Sequence, residues 1–347
     1  MFKLDYSIKQ TAPVKDESTV LSLWKGNLPD CSAERYRAIY SDNTYGLSWA
    51  WLASTDKGEV IGTTGLCRRK FVVNGGTASA GVAIDFAVLK EHRGFGPALK
   101  LQRQVTTCLK EGGLDFIYAY PNQQAWSVIK RAGYKSIGMM TRWVKVLRSH
   151  YKLKDVLKSE TISRIVSPIV DIVVTKTLRE RLRGRPKDVR TEVNNAFDER
   201  FDVLWEKVQK QFSIIGERST AFLNWRYGRF LKGSCRIFCL SDSSGENLQG
   251  YIVYSIRDRL CHIDDLLFLN SIDTLLAEFI ATMRREKVFA ISLSYFGSSA
   301  VSGKIEEWGF VRRESGRSIM TFADDGSQYA PALLNKENWH LLDGDDI

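Results

Sequence analysis

The chain is poor in the residues that mark a metal centre, a disulfide scaffold or a membrane span. Its six cysteines, Cys31, Cys67, Cys108, Cys235, Cys239 and Cys261, include no CxxC pair, and the four histidines are equally dispersed. That spacing signals neither a disulfide framework nor a structural zinc site, so reduced, packed thiols and no metal are expected. No stretch reaches the roughly 18 uninterrupted apolar residues of a membrane helix. The opening "MFKLDYSIKQTAPVKDES" has no apolar core of signal-peptide length. The expected location is cytoplasmic, with peripheral attachment to the inner face of the membrane left open. Prolines number only seven, while 44% of residues are apolar and 11% aromatic. Such a chain is neither disordered nor fibrous, and its 347 residues suffice for two cores.

The net charge of +10 is unevenly placed, with twelve Lys/Arg against five Asp/Glu between Arg148 and Arg190. In that stretch Ile162, Ile165, Val166, Ile169, Val170 and Val173 recur at helical spacing beneath a basic tail. Residues 148–192 thus read as a basic helical connector. It either packs on its neighbours or lies against anionic lipid or an acidic acyl-carrier protein. The excess charge sits in one connector without interleaved aromatics, which makes nucleic acid a poor partner in general.

Before the connector, residues 1–147 run from two helical segments into a strand meander, "LSWAWLAS", "VIGTTGLCRRKFVV" and "ASAGVAIDFAVL". The period then changes to helix, strand, helix and strand. Residues 193–325 repeat this order, which suggests a duplicated fold, and 326–347 read as a C-terminal tail that packs through a few apolar anchors. The class is α/β, with mixed sheets in both halves.

"VLKEHRGFGPALKLQ" joins the meander to the first long helix. Gly94 and Gly96 let backbone amides approach a ligand, the helix mouth adds partial positive charge, and Arg93 adds a full one. Together they form an anion cradle suited to a pyrophosphate. Pro97 suits the first helical turn but contributes no amide. No Gly-Lys-Ser/Thr follows, which excludes a P-loop, and the preceding meander disfavours a dinucleotide fold.

The segment "VLKEHRGFGPA" resembles the acyl-CoA signature of the GNAT superfamily of N-acyltransferases, V-x-x-x-x-R/Q-G-x-G-x-A/G. "NQQAWSVIKRAGY" resembles the superfamily's N-x-x-A-x-x-L-Y-x-x-x-G-F helix at Asn122, Ala125, Gly133 and nearly at Tyr134. The resemblance implies two GNAT-like α/β domains, the second degenerate, with acetyl-CoA or another acyl-CoA as co-substrate. It assigns cofactor contacts to Phe86, Ala87, Val88, Arg93, Gly94, Phe95, Gly96, Ala98, Leu99 and Asn122. The tyrosine that serves the family as acid is replaced by Ile129, leaving Tyr118, Tyr120 and Tyr134 as substitutes, and Tyr134 is taken first. Asp85, a lone carboxylate in an apolar strand, is the expected base. Strict alternation would group it with Ala83 and Ala87. Asn122 could orient the acyl carbonyl or cap the following helix.

In the second half "CHIDDLLFL" runs into "NSIDTLLAEF" with no Arg-Gly-x-Gly, so this half should not bind CoA. His262, Asp264 and Arg226 are its candidates for acceptor contact. Double-domain relatives with an "FLNWRY"-like segment resemble acetyltransferases of surface-polysaccharide or envelope assembly, which implies an amino-sugar acceptor. Two other readings stand beside this one. The first is a transferase of the same duplicated fold that uses aminoacyl-tRNA or an acyl-carrier protein; the second is a CoA-binding module without turnover.

Overall fold

The computed structural model describes residues 5–12, 15–28, 31–94, 96–148, 188–231 and 234–347. Most of the basic connector, and Phe95, lie outside the described residues. The first half contains β1 (Tyr6–Gln10), α1 (Glu17–Trp24), α2 (Ala33–Tyr40), β2 (Trp49–Thr55), β3 (Val60–Val73) and β4 (Gly76–Val88). It continues through α3 (Pro97–Glu111), β5 (Phe116–Ala119), α4 (Gln123–Arg131) and β6 (Lys135–Val146). After the connector come β7 (Val189–Asn194), α5 (Glu199–Val208), β8 (Ile214–Gly216), α6 (Thr220–Leu231), β9 (Cys235–Asp242), β10 (Leu248–Arg257) and β11 (Leu260–Phe268). The chain ends with α7 (Ile272–Arg285), β12 (Ala290–Gly297), α8 (Ser299–Glu307), β13 (Val311–Phe322), α9 (Ala330–Leu333) and β14 (Trp339–Leu342). Among the described residues no helix is long and apolar enough to cross a membrane.

The two halves do not form separate sheets. One sheet runs β1-β2-β3-β4-β5-β13-β6-β12-β11-β10-β9-β7. Its centre is an exchange: β13 lies between β5 and β6, pairing Met320 with Ala119 and Val311 with Val144. In turn β6 lies between β13 and β12, pairing Thr141 with Tyr295. Each half therefore completes its sheet with the other's last long strand. The sequence-based boundary at 147 divides the chain but not the fold, because alternation marks a strand without naming its neighbour.

The segment read as a tail is also part of the sheet. Strand β14 pairs with β12 (Tyr295 with Leu342) and with β8 (Trp339 with Ile214), while β8 pairs with β3. The end of the connector, too, is strand: β7 lies beside β9.

Layers of helices cover both faces. Tyr36, Tyr40 and Trp24 of α1 and α2 share a core with Val82 and Ile84 of β4. On the opposite face α3 buries Leu101, Val105, Cys108 and Leu109 against Ile61 and Ile117. The helical period alone places Leu99, Val105, Cys108 and Leu109 on one face; in the structure Leu99 is only half-buried and Leu101 takes the core position. The second half repeats the plan with α7 and α8 on one face and α5 and α6 on the other.

Candidate active site

Strands β4 and β5 run parallel only from Ala80/Phe116 to Ala83/Ala119. Strand β5 then ends, while β4 continues to Val88 with its β5-facing edge unpaired. Opposite, the β3 register slips between Thr63 and Gly65, so Asp85 and Phe86 form a bulge facing Thr64. Asp85 has φ +53°, a conformation few non-glycine residues adopt. Bulge and positive φ together turn its side chain away from the Ala83 face and onto the α2 side, where Val82 and Ile84 also point. This corrects the alternation expected for β4.

There the Asp85 carboxylate is buried. Arg35 of α2 stands 2.8 Å from Oδ1, and the Tyr40 hydroxyl donates to Oδ2 at 2.7 Å. Tyr40 reaches it only because residue 65 is glycine: a Cβ there would sit on the tyrosine hydroxyl. A buried carboxylate on a strained backbone, held by buried Tyr40 and partly exposed Arg35, is the kind of outlier that clusters at functional sites.

Just beyond β4, Gly96 in the left-handed region (φ +106°) starts α3, and Pro97 occupies the first turn. Gly94 also has positive φ, and nothing lies within 4 Å of where a Cβ on either glycine would be. Arg93 is exposed and donates from Nε to the Val88 carbonyl at 2.9 Å. This open loop borders a groove of about 370 Å³ lined by Phe86, Ala87, Val88, Arg93, Gly94 and Ala98 on one side. Asn122, Gln124, Ala125 and Val128 of the α4 region line the other. Asn122 caps α4, accepting from the Ala125 amide at 2.9 Å.

A second cavity of about 450 Å³ adjoins the groove and shares Leu28, Phe86, Asn122 and Ala125 with it. Arg35, Asp85 and Tyr120 line it from the first half; Arg226, Arg229, Asp346 and Ile347 line it from the second. Tyr120 ends the β5 region, meets Tyr118 edge-to-face at 5.8 Å between ring centres, and its hydroxyl has no hydrogen-bond partner among the described residues. Burial pushes that phenol well above its ordinary value, so it stays protonated. Burial also raises the Asp346 carboxyl, which Arg317 holds at 3.2 Å.

The second-half wall is fixed by a fully buried ion network. Asp345 receives Arg69 at 3.2 Å and Arg218 at 2.7 Å, and Arg218 also pairs with Asp265 at 3.1 Å. Tyr251 donates to Asp265 at 2.9 Å, and the Leu342 amide donates to Asp345 at 3.0 Å. Two guanidinium groups against two carboxylates leave no net charge in the core, which meets the condition for burying ions. Because Asp345 is anchored, Asp346 and Ile347 are presented to the cavity. Arg226 adds bonds to the Gly344 and Asp346 carbonyls at 3.0 and 2.8 Å.

The acetyltransferase (GNAT) family model matches residues 18–134. This segment is a GNAT-family domain. Solved structures share its fold over most of the chain. A probable N-acyltransferase from Enterococcus faecalis V583 superposes with TM-score 0.65 at 13% identity, over 92% of this chain and 73% of that one. A GCN5-related N-acetyltransferase from Anabaena variabilis gives 0.62 at 14% identity, over 91% and 72%. A GCN5-related N-acetyltransferase from Kribbella flavida gives 0.59 at 13%, over 92% and 71%. No curated protein matches in sequence.

Within the GNAT domain, the residues picked from sequence divide clearly. Asp85, Phe86, Ala87, Val88, Arg93, Gly94, Ala98 and Asn122 line the two connected cavities, and Arg226 joins them from α6. Gly96 shapes the loop without lining the groove, and Leu99 faces elsewhere. Tyr134 does not reach the site: it is buried in the core against Phe322 at 5.6 Å. The reason is Gly133, whose φ of +108° turns the chain from α4 into β6 and points the next side chain inward. Tyr120 takes its place at the cavity wall. His262 and Asp264 also lie off the cavity lining, on β11. Burial and the neighbouring Asp343 raise Asp264 to about 6. Arg35 and Asp346 were not read from sequence; "GDDI" carries no local signal of a site, and Arg35 sits in an ordinary amphipathic helix.

The open glycine loop, the exposed Arg93 and the unpaired edge of β4 leave room and donors for an anionic, extended ligand such as an acyl-CoA. Among the described residues no three His, Cys, Asp or Glu side chains stand together as a metal site.

Proposed function

We propose that the chain is an acyl-CoA-dependent N-acyltransferase, most simply an N-acetyltransferase, acting on a small amine such as an amino sugar. The observation that carries this reading is the continuity of the two cavities: the anion cradle at Arg93 opens into a chamber with carboxylates and a phenol. Bound acyl-CoA supplies the activated thioester.

The chamber walls support a division of labour. Asp85, fixed in place by Arg35 and the Tyr40 hydroxyl, holds the incoming amine. Asp346, raised by burial, is the better proton acceptor, since a base works best when its pKa approaches the working pH. The neutral amine attacks the carbonyl carbon and gives up a proton to Asp346, the C–S bond breaks, and the leaving sulfur takes a proton from Tyr120, which the proton on Asp346 then replaces. Ile129, also on the wall, packs as an apolar neighbour.

The test follows release of the CoA thiol from acetyl-CoA in the presence of an amine panel that includes glucosamine. Amine-dependent release, reduced at least tenfold in Asp346→Asn, is expected. No release with any amine would remove the catalytic reading and leave a binding module. Because Asp346 must be ionised to act, kcat/KM should fall as pH falls through its raised pKa. Asp346→Asn should lose that limb.

A further inference from the structure

The carboxylates that face the chamber each have their own arginine, Asp85 with Arg35 at 2.8 Å and Asp346 with Arg317 at 3.2 Å. Arg226 is different. It lies half-buried on the chamber wall, bonds only to the carbonyls of Gly344 and Asp346, and forms no ion pair among the described residues. Its Nε and one Nη2 proton are used, which leaves Nη1 without a partner. Asp264 and Asp346 act on it only through space and the Tyr227 ring lies 5.5 Å from its centre, so the Nη1 protons stay unused, and a charged acceptor oxygen completes the arrangement with short, charge-assisted hydrogen bonds.

We infer that the acceptor is an amine carrying an anionic group, carboxylate or phosphate, on the same molecule, and that Arg226 receives that group. This rests on the acyltransferase reading and narrows its substrate class. The geometry accommodates both ends: Asp85 and Asp346 are on hand for the amine, while Arg226 marks the wall contributed by α6. It also gives the second half a task. That half lacks a glycine loop and contributes the cation that selects the acceptor. A neutral acceptor would cover Arg226 and leave its Nη1 protons without a charged partner, so discrimination arises from what the neutral molecule leaves unpaired.

The experiment compares kcat/KM with acetyl-CoA for two matched pairs: glucosamine 6-phosphate against glucosamine, and alanine against alaninamide. In at least one pair the anionic member should exceed its neutral counterpart by about tenfold or more. Preference in the first pair identifies phosphate as the group, and in the second, carboxylate. Arg226→Gln should abolish the preference, whereas Arg226→Lys, which keeps the charge, should retain part of it. Equal or reversed preference in both pairs, or a preference that survives Arg226→Gln, overturns the inference. Calorimetric titration of the same four amines into CoA-saturated protein covers the case of undetectable turnover, and failure of both anionic amines to bind likewise overturns it. Titration of acetyl-CoA into the wild-type protein is read separately: its failure removes the acyltransferase reading itself.

Discussion

At Asp85, three local facts depend on one another: a positive φ, a bulge opposite Thr64, and a glycine at 65 that admits the Tyr40 hydroxyl. Gly65→Ala should displace Tyr40, remove its hydroxyl from Asp85, and destabilise the fold by roughly 1–3 kcal/mol, the usual cost of overpacking. Urea unfolding monitored by circular dichroism reads this directly. Two tyrosines provide a paired test. Tyr120→Phe should lower kcat by about 10²-fold, in the range expected for loss of a proton donor. Tyr134→Phe removes a buried hydroxyl without a hydrogen-bond partner among the described residues, so it should leave kcat within about twofold and stability unchanged or slightly higher. A third residue-scale prediction concerns pH. Asp264, raised to about 6, costs stability once it must ionise: the penalty is absent below the ordinary carboxylate pKa, grows between about pH 4 and 6, and is complete above that. Asp264→Asn should therefore match the wild type in Tm at pH 4. At pH 7.5 it should exceed the wild type by up to about 3 kcal/mol of stability.

Elements differ in how readily the sequence announced them. Helix α3 was legible because proline, a left-handed glycine and a heptad-like apolar stripe all agree on its start and face. The cradle at Arg93 and Gly94 was legible for the same reason: backbone chemistry there is local. Strand β14 was not. Four residues, Trp339 to Leu342, offer too short a pattern, and their pairing with β12 and β8 depends on contacts distant in sequence. Nor could alternation in β6 and β13 reveal their exchange, since a strand's apolar face does not specify its neighbour. Asp345 illustrates the gap most plainly, as an acidic residue near the end of the sequence that is wholly buried between Arg69 and Arg218. Asp345→Ala would strand two buried guanidinium groups and should cost about 3–5 kcal/mol, measured by denaturant unfolding. It should also lower activity in the protein that remains folded, because Asp346 would lose its anchor.

Across the whole molecule, the halves share a plan but not a site. Both carry a bulge with an aspartate, Asp85 in β4 and Asp264 in β11, and both have a parallel strand pair that ends early. In the first half the opening beyond Ala83 and Ala119 is a groove. In the second, the corresponding space beside Tyr295 to Gly297 of β12 is filled by β14. The duplication therefore provides one groove and one plugged copy, and the plugged copy supplies Arg226 and Asp346 to the chamber of the other. Isothermal titration of acetyl-CoA into the full chain tests this most directly. The predicted result is one acetyl-CoA per chain, with affinity weakened about tenfold or more by Arg93→Glu, which replaces a charge-assisted phosphate contact with repulsion. Two sites per chain, no binding, or binding indifferent to Arg93→Glu would contradict it.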